Sequence, residues 1–129
     1  MSEALFVGSV AAFAAVVGPI LAVVITRMSD KRREVTERRM DIFRTLMRTR
    51  KMPIHYDHVG ALNLIEIEFA KEKKVIAAWK AYFLKLNERF PTNLPSQAAD
   101  EVISQRQKLL TKLIFEISQV LQFKVEQLD

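Results

Sequence analysis

Hydrophobic and polar positions follow two different rhythms along this chain. From Ala4 to Thr26 the sequence ALFVGSVAAFAAVVGPILAVVIT holds 23 residues without a charged side chain. At ~1.5 Å per residue a helix of that length spans ~35 Å, enough to cross a hydrocarbon core of ~30 Å with modest tilt. The stretch therefore predicts a transmembrane helix. Beyond it the pattern turns amphipathic. No Gly or Pro interrupts Lys31 to Met52, where Val35, Ile42, Phe43, Leu46 and Met47 form a sparse inner face. Pro53 ends that segment, because a residue before proline is pushed out of the helical region. Ser29 and Asp30 could cap a new helix, and a helix continuous from the membrane to Met52 fits equally well.

Asp57 is the expected N-cap of the next helix, which carries Val59, Leu62, Ile65 and Phe69. The run Lys71-Glu72-Lys73-Lys74 reads as a loop or an exposed helical turn. Val75, Trp79, Tyr82, Phe83, Leu86 and Phe90 then recur at three- and four-residue steps, as in an amphipathic helix. Pro91-Thr92-Asn93-Leu94-Pro95-Ser96 reads as a loop. The last helix is expected from Ala98 to about Gln127, with Ile103, Leu110, Ile114, Ile117, Leu121 and Leu128 along one side and Leu113 and Val120 beside them. No strand pattern competes. The expected fold is all-α, with a single transmembrane helix at 4–26 and a basic juxtamembrane helix at 27–52. Residues 53–129 then complete a small cytoplasmic, antiparallel four-helix bundle-like domain.

Placed at 100° intervals, the membrane residues separate by size. Gly8, Ala11, Ala12, Ala14, Ala15, Gly18 and Ala22 fall on one half of the circumference, and Phe6, Val10, Phe13, Val17, Ile20, Leu21 and Val24 on the other. Small side chains four apart allow close backbone approach in lipid, which reads as a helix association face and predicts a homo-oligomer. Pro19 removes one helical hydrogen bond, so a kink is expected near it.

Charge adds direction. The net charge is +5, and it is unevenly placed: residues 27–52 carry ten Lys/Arg and four Asp/Glu, whereas residues 53–129 carry ten of each. Short basic flanks stay on the cytoplasmic side, and the amino-terminal flank Met1-Ser2-Glu3 has no Lys or Arg. The amino terminus is therefore expected outside and the bundle in the cytoplasm. A cleaved signal peptide fits less well, because Glu3 precedes the apolar core, the core is too long, and bulky Val23-Val24-Ile25 replaces a small-residue cleavage site. The chain has no cysteine, consistent with a reducing compartment.

Anionic lipid headgroups are within reach of Arg27, Lys31, Arg32 and Arg33, since such attraction decays over a Debye length of ~8 Å at physiological salt. On an upright helix Arg44 would lie ~26 Å beyond the membrane end, too far for lipid to hold it. Arg38, Arg39, Arg44, Arg48, Arg50 and Lys51 are thus either a track facing a cytoplasmic protein partner or a solvated helix face. Nucleic acid is disfavoured, because Glu34, Glu37 and Asp41 interrupt the track and no aromatic platform interleaves.

Catalytic chemistry finds little support. His55, Asp57 and His58 resemble a metal site only loosely, and a helix cap with two solvated histidines explains them with less. There is no cysteine nucleophile, no serine elbow, and only Gly60 after Gly18, so no phosphate-cradling loop. Glu66 and Glu68 are two apart and face different directions. No enzyme activity, cofactor or metal is expected. Asn63 is either a buried residue fixing helix register or an exposed polar position, and Trp79 reads as core.

The strings Ile42-Phe43-Arg44-Thr45-Leu46-Met47 with Thr49-Arg50, His58-Val59 with Ala61-Leu62-Asn63, Ile65, Phe69, Val75, and Ala78-Trp79-Lys80-Ala81-Tyr82 resemble a family of small bacterial proteins. Its members look like one membrane helix followed by an uncharacterised cytoplasmic domain of unknown function. The resemblance covers about residues 26 to 90, implies the same architecture in a bacterial inner membrane, and brings no catalytic residue. The expected function is a membrane-anchored helical scaffold that oligomerises or docks a cytoplasmic partner. The alternative is a membrane effector that assembles and perturbs the bilayer, against which no polar residue lies deeper than Ser9.

Overall fold

A computed structural model describes residues 2–88 and 96–122, with side chains from 15 to 88 and from 97 to 122. Those residues form four helices and no strand: α1 (Ser2–Thr49), α2 (Tyr56–Glu68), α3 (Lys73–Asn87) and α4 (Ser96–Val120). α1 runs unbroken through Pro19, Ser29 and Asp30, so the second helical segment continues the first. The chain divides into two compact units, Met1–Val35 and Thr36–Asp129.

In the second unit, the last turns of α1 and the helices α2, α3 and α4 enclose one apolar core. Ile42 and Leu46 come from α1, Ala61, Leu62 and Ile65 from α2, Val75, Ala78 and Tyr82 from α3, and Leu110, Leu113, Ile114 and Ile117 from α4, with Phe69 at the α2–α3 turn. Trp79 packs against the core and donates its indole N–H to the Leu62 carbonyl at 2.8 Å, tying α3 to α2.

Several expected positions shift. The side chain that caps α2 is His55, whose Nδ1 accepts from the Asp57 N–H at 3.1 Å, and Asp57 sits inside the first turn, where its charge suits the helix dipole. Of the expected α2 stripe, Leu62, Ile65 and Phe69 are buried, while its first member, Val59, faces out and His58 and Ala61 point inward in its place. Phe83 and Ile103 are also exposed rather than core. α4 stops at Val120, earlier than expected, where Gln122 adopts a left-handed backbone (φ 63°) that cannot continue a right-handed helix. Phe90, Leu128 and the loop expected at 91–96 lie outside the residues whose side chains are described.

Among the described residues no helix is long and apolar enough to cross a membrane. Within the stretch Ala4–Thr26, the side chains of 4–14 lie outside the described set. The transmembrane span expected at 4–26 is thus not found among the described helices.

Candidate functional site

Three basic residues of α1, Arg38, Arg39 and Arg48, are engaged with α2. Arg38 Nε donates to Glu68 Oε1 at 3.0 Å near one end of α2, and Arg48 reaches Asp57 Oδ2 at 3.1 Å near the other. Because the sequence order of the two contacts is reversed, α1 and α2 run antiparallel. Arg39 completes the clamp: its Nε donates to the Glu68 carbonyl at 3.0 Å, its guanidinium lies 3.6 Å from Glu72 and 5.0 Å over the Phe69 ring. α2 has no basic residue in its own last turn, so Arg39 supplies the positive charge and the donor that a helix C-terminus favours. Arg44 pairs within α1 with Asp41 at 3.6 Å. Of the six-residue track, Arg50 and Lys51 are exposed in the turn after α1.

The other sequence candidates lie in the first unit. Arg27, Lys31, Arg32 and Arg33 are exposed, as are Ala15, Gly18 and Ala22. A Cβ at Gly18 would meet nothing within 4 Å. Gly8, Ala11, Ala12 and Ala14 belong to α1, and their side chains lie outside the described set. His55, Asp57 and His58 do not converge on one point, since His55 caps α2, Asp57 pairs with Arg48 and His58 is buried. Asn63 is exposed.

Two features emerge that sequence patterning did not separate from background. The first is an open groove of about 900 Å³ along the α1–α2 hairpin. Arg38, Asp41, Thr45 and Arg48 line it from α1, Tyr56, Val59, Gly60, Asn63 and Leu64 from α2, and Ile54 from the turn between them. Ile54 is 95% exposed and Tyr56 89%.

The second is a buried chain of hydrogen bonds across three helices. His58 of α2 is within 2.8 Å of Thr49 Oγ1 through Nδ1 and 2.9 Å of the Tyr82 hydroxyl through Nε2. All three side chains are buried. Thr49 has already committed its one hydroxyl hydrogen to the Thr45 carbonyl at 2.7 Å, so its oxygen must accept from His58 Nδ1–H. Nε2 is then the acceptor for the Tyr82 O–H, and the order runs Tyr82 to His58 to Thr49 to Thr45. Burial holds the chain in this state. It lowers the His58 pKa below its ordinary 6.5, with the nearby His55 charge acting in the same direction. Burial also raises the Tyr82 pKa to about 12, against a smaller opposing influence of the Arg106 guanidinium.

Protonation of His58 would put a hydrogen on Nε2, facing the hydroxyl that donates to it. The unfolded imidazole, near its ordinary 6.5, therefore takes up a proton before the folded one does. Stability contributed by this group is complete above that value and is lost as the pH falls from it toward the folded-state pKa. The melting temperature of the full chain is expected to decline from about pH 7 to about pH 5, with His58→Leu flattening part of that slope. A wild-type melting temperature that rises on acidification would contradict the neutral assignment.

The match to known proteins lies at the level of family. A model described as "Family of unknown function (DUF6680)" matches residues 4–129. The chain belongs to this family. No curated protein and no solved structure matches the chain. The DUF6680 match extends the earlier resemblance in both directions, taking in the apolar half of α1 and the whole of α4. The apolar segment and the bundle therefore occur as parts of one family unit.

Proposed function

We propose that the chain is a membrane-anchored, non-catalytic helical interaction protein. The apolar half of α1 lies in an inner membrane, the amino terminus is outside, and the bundle self-associates or docks a partner in the cytoplasm. One observation carries the reading: the apolar side chains of α1 from Val16 to Ile25 are left uncovered, with Val16, Ile20, Leu21, Val23, Val24 and Ile25 each 46–65% exposed. An apolar run that is exposed among the described residues calls for lipid or another helix. Two details fit lipid. The Thr26 hydroxyl is satisfied inside the helix by the Ala22 carbonyl at 2.8 Å, as an apolar solvent demands, and the exposed cations Arg27, Lys31 and Arg33 follow where anionic headgroups would stand.

Cell fractionation tests the anchor. The full chain should stay with membranes through alkaline carbonate extraction, and recovery in the supernatant would remove the anchor reading. Gly18→Leu should reduce the size of the detergent-solubilised particle, because the side chain fits within one chain and obstructs only a close neighbour. An unchanged size would sink the proposed association through the small-residue face. Induced expression should leave a membrane-potential dye undisturbed, whereas collapse of the potential would favour the bilayer-perturbing alternative.

A further inference from the structure

We infer that the joint between α2 and α3 is an acid-released latch: neutral His58 holds Tyr82, and protonation of its ring frees α3 from α2 while α1 and α2 stay fastened. Two polar ties one helical turn apart cross this joint. His58 Nε2 accepts from the Tyr82 hydroxyl at 2.9 Å, and four residues on, the Leu62 carbonyl accepts from the Trp79 indole N–H at 2.8 Å. Both ring nitrogens of His58 are committed, Nδ1–H to Thr49 and Nε2 to Tyr82, so a second ring hydrogen would stand directly against the Tyr82 O–H. Turning the hydroxyl away does not relieve that conflict. Among the described residues Tyr82 has no other hydrogen-bond partner to receive its hydrogen.

The surroundings give a positive charge on His58 no support. α1 presents the neutral Thr49 hydroxyl. His55, at the cap of α2, acts on His58, and Arg106 of α4 acts on Tyr82, each of them cationic when charged. Arg106 is also a donor only, with no atom to accept the Tyr82 hydrogen. Asp57, adjacent in sequence, is turned to Arg48 at 3.1 Å. A buried imidazolium without a counter-charge is accommodated when the joint opens and water reaches the ring. Because burial keeps the pKa of the closed ring below 6.5, release grows as the pH falls below that value.

The other fastenings make the release local. α2 is held to α1 by Arg38 on Glu68 and Arg48 on Asp57, and Arg39 binds the Glu68 carbonyl, Glu72 and the Phe69 ring at the α2–α3 turn. Carboxylate–guanidinium pairing is lost in a range well below that of histidine. The turn therefore acts as the hinge. His58 near the start of α2 and Tyr82 in the second half of α3 lie at the end of the joint away from it, where opening begins.

Trp79 is the only tryptophan in the chain, and it sits in the joint, so its emission reads the latch directly. As the purified full chain is taken from about pH 7 to about pH 5, Trp79 emission should shift reversibly to longer wavelength and become more open to acrylamide quenching, with helical content by circular dichroism unchanged. The shift should persist in His55→Asn, which keeps a side-chain cap on α2. It should vanish in His58→Gln, whose amide donates to Thr49 and accepts from Tyr82 yet takes up no proton. The chain has two histidines, so a shift retained in His55→Asn belongs to His58 even where His58→Gln does not fold. No shift in the wild-type chain, a shift lost in His55→Asn or unchanged in His58→Gln, or one that coincides with loss of helical content would overturn the inference. None of these outcomes bears on the anchor, which the carbonate extraction tests separately.

Discussion

Replacing His58 by leucine should lower the melting temperature of the full chain by roughly 10–20 °C, corresponding to about 2–3 kcal/mol in a domain of this size. The cost falls unequally on its two partners. Thr49 keeps its own bond to the Thr45 carbonyl and loses only a donor to its oxygen. Tyr82 is left with a buried hydroxyl and no acceptor, which is the expensive outcome, because a buried donor without a partner bears its full desolvation penalty. That asymmetry makes a sharper prediction. Adding Tyr82→Phe to His58→Leu removes the stranded hydroxyl, so the double variant should be more stable than His58→Leu alone, even though Tyr82→Phe by itself destabilises. A double variant that is simply the sum of the two losses would refute the direction of donation from Tyr82 to Thr49.

This chain of bonds was partly legible in advance. His58, Ala61, Leu62, Ile65 and Phe69 fall at three- and four-residue steps, so the helical period itself places His58 on the buried face. Leu62, Ile65 and Phe69 fit the expected stripe, and only its first member, Val59, was misread, since a β-branched apolar side chain looks like better core material than His or Ala. Tyr82 falls on the expected stripe of α3 and Thr49 carries no such signal, but the partnership of either with His58 was not legible: they are 24 and 9 positions from it, and only the packing of three helices joins them.

Charge was legible in amount and not in use. The excess of Lys and Arg after Thr26 is visible by counting, and the Asp41–Arg44 pair by its i,i+3 spacing. What Arg38, Arg39 and Arg48 do depends on Glu68, Glu72 and Asp57, which approach only once α2 folds back on α1. Half of a track that looked ready for a partner is the inner fastening of a hairpin. The absence of Gly and Pro around Ser29 and Asp30 permitted a continuous α1 but did not require one, because Ser and Asp also serve as caps. The early end of α4 had no signal of its own, since the left-handed residue is Gln122 rather than Gly or Asn.

The fastening can be measured at Phe69, where the second large effect is expected. Its side chain is fully buried at the C-cap of α2, with Arg39 over its ring, so Phe69→Ala should cost about 3–5 kcal/mol through lost transfer energy and the cavity left behind. Against a total stability of roughly 5–15 kcal/mol, that loss is large enough to leave the bundle partly unfolded at physiological temperature. Arg39→Met keeps a stem of similar length over the ring while removing the guanidinium, and should cost about 1–2 kcal/mol from the bond to the Glu68 carbonyl and the cation–π contact. In denaturant melts of the full chain the two substitutions should be less than additive when combined, because each removes the same ring–guanidinium contact. Strict additivity would mean that Arg39 holds the α2 terminus through the backbone and Glu72 alone, and that the aromatic ring beneath it is core and nothing more.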